Sequence, residues 1–415
     1  MTPLTKTLYA IILAVMALLV ILTTFIPYPP SLDMARAAGF SDSEIQTGLQ
    51  YSFERRLFMW AATALHLGLL GGFALTRLGR RVADRFLAWT GQLRVPAALG
   101  VACCIWLLHA VLYVPLGIAS LHHRWAWETS NLDLADWMYE YWLSTGITLI
   151  CEAVVVVGFY ALLIWLPRTW WLVAPIGGAG LGVLYALLSP ILINPLFNEF
   201  TPIQETPWSD QQPQIQALID KAGVPVHEIL VMNGSKQSNH TNAYFTGFGP
   251  TRRIVLYDTL LTKHNADEIE SVLAHELGHW QHDHINKGIL LGALAALVGC
   301  CVLDRCLRAA MTRGPWHLQS TADPAGLPLV LLVMYLGSWV AMPVGNLVSR
   351  HFERQADQAS LELADVPKAF IDAEYKLARD NKSNVAPTPW NVWLFSSHPP
   401  TIERIRMAED WQKRR

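Results

Sequence analysis

Residues 271–284, SVLAHELGHWQHDH, carry four histidines and two acids in fourteen positions. His275-Glu276-Leu277-Gly278-His279 within them is an H-E-x-x-H arrangement. On a helix, positions i and i+4 lie one above the other on the same face, so both imidazoles can reach one Zn²⁺. Glu276 projects about 100° away, from 3.6 residues per turn, and can reach a metal-bound water without being a ligand. Zinc lowers the pKa of such a water to about 7, and a neighbouring glutamate takes its proton. The chemistry implied is metal-assisted hydrolysis. Sites of this kind use three protein ligands, so a third must come from elsewhere in the chain.

The flanks bear on whether these histidines are only a solvated helix face. Ser271-Val272-Leu273-Ala274 precedes the motif and Trp280 follows it, so the helix is partly buried. Two imidazoles and a carboxylate are costly there unless paired or metal-bound. A candidate third ligand lies in SRHFERQADQAS, residues 349–360, just after a long apolar segment. Glu353 and Asp357 sit there at i, i+4 spacing. Glu353 is the candidate ligand, and Asp357 is placed to accept the free N–H of a ligand histidine and fix its tautomer. The competing reading is an exposed helix end, with Arg350, Glu353, Arg354 and Asp357 pairing along one face.

The elements that must position these residues divide into apolar and polar stretches. Apolar residues make up 52% of the 415-residue chain and charged residues only 15%, well below the roughly 25% of a soluble domain. Residues 7–26, 57–76, 95–119, 169–193 and 327–348 contain no Asp, Glu, Lys or Arg, and 141–166 contain one acid, Glu152. Each is long enough to cross a bilayer, which takes roughly 20 apolar residues. Residues 288–303 are shorter, but a helix leading in from the histidine stretch can extend them, giving seven spans. The first reads as a retained span, because TFIPYPPS offers no small-x-small cleavage site. PIGGAGLGV in the fifth reads as close helix packing through small residues. Glu152, His66 and His109 should face an interior or a partner helix, since a lone charge in lipid costs roughly 2.5 kcal/mol or more.

Between spans five and six, about 194–264, the chain reads as a small α+β unit. DQQPQIQALIDKAGVP is a short amphipathic helix with Asp210 near its start, ended by Gly223 and Pro225. Residues 228–232, 242–248 and 252–258 read as strands, the last two joined in a hairpin by a Gly-Pro turn. NADEIESVLAHELGHW returns to helical period with acids in its first turn. The six cysteines form no C-x-x-C pair and read as small buried apolar residues. A net charge of −2 gives no sign of nucleic-acid binding.

Six stretches in order make the chain resemble the type I CAAX prenyl proteases, integral-membrane zinc endopeptidases of the gluzincin type. They are NPLFNEFTPI, SNHTNAYFTGF, RRIVLYDTLL, EIESVLAHELGHWQHDH, SRHFERQAD and SSHPPTIERI. The likeness covers most of the chain and is strongest from 190 onward. It implies seven membrane helices ringed around a chamber, with one Zn²⁺ per chain held by His275, His279 and Glu353. Glu276 would be the general base and later the proton donor, and Asp357 would support a ligand from outside the coordination shell. Asn242 would lie on the strand lining the substrate groove, and His398 would reach the scissile carbonyl or its oxyanion. An extended peptide can pair with such a strand edge, and a donor aimed at the oxyanion assists hydrolysis. His282, Asp283 and His284 read as supporting or solvated groups, not ligands.

The expectation is therefore a mainly α, multi-pass membrane zinc metalloendopeptidase. Residues 1–193 hold spans one to five and 194–284 the α+β unit with the H-E-x-x-H helix. Residues 285–350 hold spans six and seven, and 351–415 complete the site. Its partners would be a peptide or protein substrate, prenylated if the resemblance extends so far, and the lipid bilayer. The membrane would be the inner membrane in a bacterium or the endoplasmic reticulum in a eukaryote. A quality-control protease resembling HtpX is the nearest alternative, though seven spans weigh against it. A transporter or receptor with a structural metal is the alternative of another class. Loop charge leaves orientation open. Arg77, Arg80, Arg81, Arg85 and Arg94 with Arg305, Arg308 and Arg313 favour an N-terminus in the cytoplasm. The resemblance implies the reverse, with the site on the cytosolic face.

Overall fold

The computed structural model describes residues 3–247, 252–312 and 316–414. Seven helices among them are long and apolar enough to cross a membrane. The chain opens with α1 (Pro3–Val20), α2 (Pro29–Ala37), α3 (Asp42–Leu75) and α4 (Leu78–Trp89). It continues through α5 (Arg94–Ala126), α6 (Leu134–Trp165) and α7 (Trp170–Leu188). Ser41 and Glu44 form a reciprocal capping box that starts α3, and the Asp133 side chain caps α6. The remaining two spans are α11 (His284–Thr312) and α12 (Leu327–Leu363), separated from the first five by the polar unit. α3, α5, α6, α7, α11 and α12 each pack on the next, and α12 returns to α3. α1 lies against α3.

One end of this ring is closed by its own chain. Residues 321–330 are buried, and the Arg80 guanidinium holds them by donating to both oxygens of Asp323 at 3.3 and 2.8 Å. At the same end Trp170 Nε1 donates to Asp304 Oδ1 at 2.9 Å, and Arg308 Nε donates to Asp304 Oδ2 at 2.7 Å. Each buried carboxylate is thus paired, as low-dielectric surroundings require.

The polar unit stands at the other end. Its helices are α8 (Gln212–Ala222), α9 (Asp258–Lys263) and α10 (Ala266–Gln281). Its strands are β1 (Phe200–Pro202), β2 (Glu228–Met232), β3 (Ala243–Thr246) and β4 (Arg253–Tyr257), in the order β1-β2-β4-β3. β1 is short and carries no alternating pattern, so it is not legible in the sequence. β2 runs parallel to β4, and β3 is antiparallel to β4 at the sheet's edge. The hairpin turn expected between β3 and β4 lies outside the described residues. Gly223 ends α8 in the left-handed region at φ +66°, as its position before Pro225 suggests. Ile254, Leu256, Leu260, Ile269, Leu273 and Leu277 pack the sheet onto α10. After α12 come α13 (Pro367–Asp380), α14 (Pro389–Phe395) and α15 (Thr401–Lys413), which pack back on α10 and α12.

Two local expectations are corrected and a third is borne out. A Cβ built on Gly177, Gly178, Gly180 or Gly182 meets nothing within 4 Å, so the glycine run of α7 is not a close-packed seam. The cysteines are not buried: five are half-buried and Cys151 is exposed, because they sit on the faces of span helices. The sixth span does extend back to His284, but α10 does not run into it. α10 stops at Gln281, and Asp283 turns the chain with φ +54°.

The close approach sits elsewhere. A Cβ on Gly278 would stand 2.8 Å from Ala359 Cβ and 3.1 Å from the Ala356 backbone. α10 and α12 therefore touch backbone to backbone, and Ser360 Oγ donates to Ser271 O at 2.7 Å across the same seam. Gly278→Ala should lower stability by about 1–3 kcal/mol, the usual cost of overpacking a core. Thermal unfolding in detergent, compared with the tolerant site Gly180→Ala, measures it.

Candidate active site

The Gly278 seam places one face of α10 against α12. Asn265 and Glu268 start α10 with a second capping box. Its apolar side is spent on the sheet, so His275 and His279 turn toward α12. His275 Nε2 and His279 Nε2 lie 3.2 Å apart. Glu353 Oε2 is 3.3 Å from the first and Glu353 Oε1 3.5 Å from the second. Donors about 2.0–2.2 Å from a tetrahedral Zn²⁺ stand roughly 3.3–3.6 Å from one another, so these spacings fit that ion. Glu353 Oε2 is also buried without a hydrogen bond among the described residues, an orphan that a cation would satisfy.

The remaining ring nitrogens have partners that set the tautomers. His275 Nδ1 donates to Asp357 Oδ1 at 2.8 Å, which leaves the Nε2 lone pair for a metal. His284 Nε2 donates to Gln355 Oε1 at 3.0 Å, so His284 Nδ1 is an acceptor. His279 Nδ1, 2.9 Å from it, must then donate, and its Nε2 lone pair is free as well. His282 stacks on His284 and makes no approach to the donor set. Asp283 is exposed at the turn.

Charge around the site is closely matched. Burial pushes the His275 imidazole down, but the hydrogen bond to Asp357 and the nearby Glu353 carboxylate outweigh that and raise it to about 10. A donor set that holds a proton so tightly favours positive charge at its centre. His279, buried and beside His275, is pushed down to about 4. The Glu276 carboxyl lies beside this set and is lifted by burial to about 7, with a Phe245 backbone N–H donating to it. Behind Asp357 stands Arg404, donating to both of its oxygens at 2.9 and 2.5 Å and pairing with Glu374 at 2.5 Å. Burial pushes the Glu374 carboxyl up to about 6 despite that partner.

A cleft of about 370 Å³ opens on His275 and Glu276. Asn242, His398, Glu374 and Arg404 also line it. Asn242 stands at the start of edge strand β3, where its carbonyl accepts from Tyr257 N at 3.1 Å. His398, 61% exposed at the side chain, brings Nε2 to 3.3 Å from Glu353 Oε2. All seven residues singled out in the sequence thus meet in one place. The alternative pairing along α12 does not form: Arg350 donates to Val392 O and Ser396 O, and Arg354 pairs with Glu403. Arg404 and Gln355 were not singled out. Arg404 lies within the quoted SSHPPTIERI stretch, but only the fold reveals its two carboxylates. Within the spans, His66 and His109 meet edge to face at 4.8 Å, and His66 also meets Tyr335.

The profile of peptidase family M48 matches residues 206–412, which hold all seven of the residues that meet at the cleft. The chain belongs to peptidase family M48. It is a multi-pass membrane protein of that metallopeptidase family and is similar to the CAAX prenyl proteases. A Bacillus subtilis protein described as the uncharacterized metalloprotease YhfN is 29% identical over 380 residues, covering 90% of this chain and 87% of that one. CAAX prenyl protease 1 of Saccharomyces cerevisiae is 34% identical over 242 residues, covering 54% of this chain and 52% of that protein. The chain therefore matches about half the length of that curated relative. The crystal structure of S. mikatae Ste24p shares the fold, with a TM-score of 0.83 over 98% of this chain and 99% of that one at 22% identity. As an M48 metallopeptidase the protein implies a metal, and its His-His-Glu cluster is the one group of that kind among the described residues.

Partners outside a coordination shell typically set 10–100-fold in metal affinity. Asp357→Asn and Gln355→Leu should each weaken metal retention by about that factor, the first through His275 and the second through His279 and His284. Competition with a chromogenic chelator measures both.

Proposed function

We propose that this M48 metalloendopeptidase holds one Zn²⁺ per chain on His275, His279 and Glu353 and cleaves prenylated CAAX-type C-termini at the membrane. The observation carrying the site assignment is the convergence of those three side chains beside Glu276. The substrate class rests on the named relatives, among them the CAAX prenyl protease 1 homologues of Saccharomyces cerevisiae and Arabidopsis thaliana.

When bound, the metal would polarise the scissile carbonyl and acidify a water. Glu276 takes the water's proton and later delivers one to the leaving amine. Its lifted pKa, near neutrality, suits both transfers. β3, at the sheet's edge, lies where an extended peptide can align beside Glu276, and Asn242 just before it helps hold that chain. His398 donates from Nε2 to the oxyanion as negative charge develops there. Asp357, held by Arg404, keeps His275 in the ligand tautomer. The site is assigned to the cytosolic face. This assignment follows the family resemblance, against the preference of the loop arginines.

Glu276→Gln should retain zinc and lose hydrolysis, by about the 10²–10⁴-fold that a general base supplies. His275→Ala should lose both. Elemental analysis with a quenched-peptide assay separates these outcomes, and full activity in Glu276→Gln would favour a structural metal. Farnesylated and unmodified forms of one CAAX peptide test the substrate class. Equal kcat/KM on the two would point instead to a quality-control protease.

A further inference from the structure

α14, PWNVWLF, is a seven-residue helix that the site itself does not use. Its inner face is fixed to the last span. Asn346 Nδ2 donates to Leu394 O at 2.5 Å, and Arg350 Nη1 donates to Val392 O and Ser396 O at 2.7 and 2.6 Å. Phe395 packs edge-on to Trp60 and Trp339. Asn391 and Leu394 are buried in that contact. The opposite face carries Trp390 and Trp393, edge to face at 6.3 Å and 47% and 49% exposed.

The depth of α14 is marked twice. On α12 it is bound between Asn346 and Arg350, where the uncharged run 327–348 ends. On the other side it touches residues Ile21–Phe25, where the uncharged run 7–26 ends. Both spans leave the apolar layer at this level, and Phe25, Ile26 and Tyr28 are exposed there too. Tryptophan favours that boundary, because its ring is apolar while its N–H seeks water and headgroups.

We infer that α14 is an interfacial anchor: Trp390 and Trp393 insert into the headgroup–acyl boundary of the bilayer on the side of the active site. The surface is continuous with the apolar faces of α1 and α12, and its partner is phospholipid. Three residues after α14, the same segment supplies His398, so the anchor ties that segment to the membrane surface. The inference depends on the membrane embedding and not on the substrate assignment.

Spin labels test it in the full chain, with the six native cysteines replaced and the protein in phosphatidylcholine nanodiscs. Labels at Trp390→Cys and Trp393→Cys should collide with oxygen, relative to a water-soluble nickel chelate, severalfold more than a label at the exposed Lys413→Cys. Their ratio should approach that of a label at Val340→Cys on the seventh span. A ratio equal to that at Lys413 would overturn the inference, since the tryptophan face would then meet water. A second measurement keeps the native cysteines. Lipids brominated near the ester groups should quench the intact protein more than the Trp390→Phe/Trp393→Phe variant. Identical quenching of the two would overturn the inference as well.

Discussion

The contact of α10 with α12 at Gly278 is the constraint on which the rest depends. Two helices whose backbones touch cannot slide or rotate without collision, so the residues flanking the contact are held in register. His275 and His279 stand on one side of the seam and Glu353 and Asp357 on the other. A Cβ at 278 would stand 2.8 Å from Ala359 Cβ, so a side chain there would force the two helices apart. The glycine is there for approach, not for backbone conformation. The run of glycines in α7, by contrast, meets open space and supports no such contact.

Electrostatics then hold the site on that frame. Asp357 and Glu374 are both buried, and neither carboxylate is tolerable alone in such surroundings. Arg404 from α15 bridges them, so the C-terminal helix is bound to the same cluster as the ligands. A tautomer chain through His284 and Gln355 does for His279 what Asp357 does for His275. His275 and His279 are therefore oriented in advance, which limits the reorganisation that the proposed metal would require.

The membrane helices and the polar unit meet at this cluster. α12 runs unbroken from the closed end of the ring to Leu363 and carries Glu353 above the last apolar turn. The sheet contributes an edge strand, and the helices after α12 contribute His398 and Arg404. On the proposed function, peptide hydrolysis is thereby placed where a membrane-borne chain can reach it, beside the boundary inferred for α14.

By itself the sequence determined the class of the protein and most of its chemistry. Uncharged runs of bilayer length leave a helix little choice, because backbone polar groups in lipid must be satisfied internally. The spacing of His275, Glu276 and His279 is likewise local, fixed by the pitch of one helix. Strands β2, β3 and β4 were legible from β-branched and aromatic runs, while β1, with three residues, was not. What only the tertiary structure decided are the pairings between distant segments. That Glu353 faces both imidazoles, that Arg404 joins Asp357 to Glu374, and that Gln355 fixes His284 depend on how α10, α12 and α15 cross. No periodicity along one segment encodes a crossing. It is set by where two backbones can come close, and here that is at Gly278.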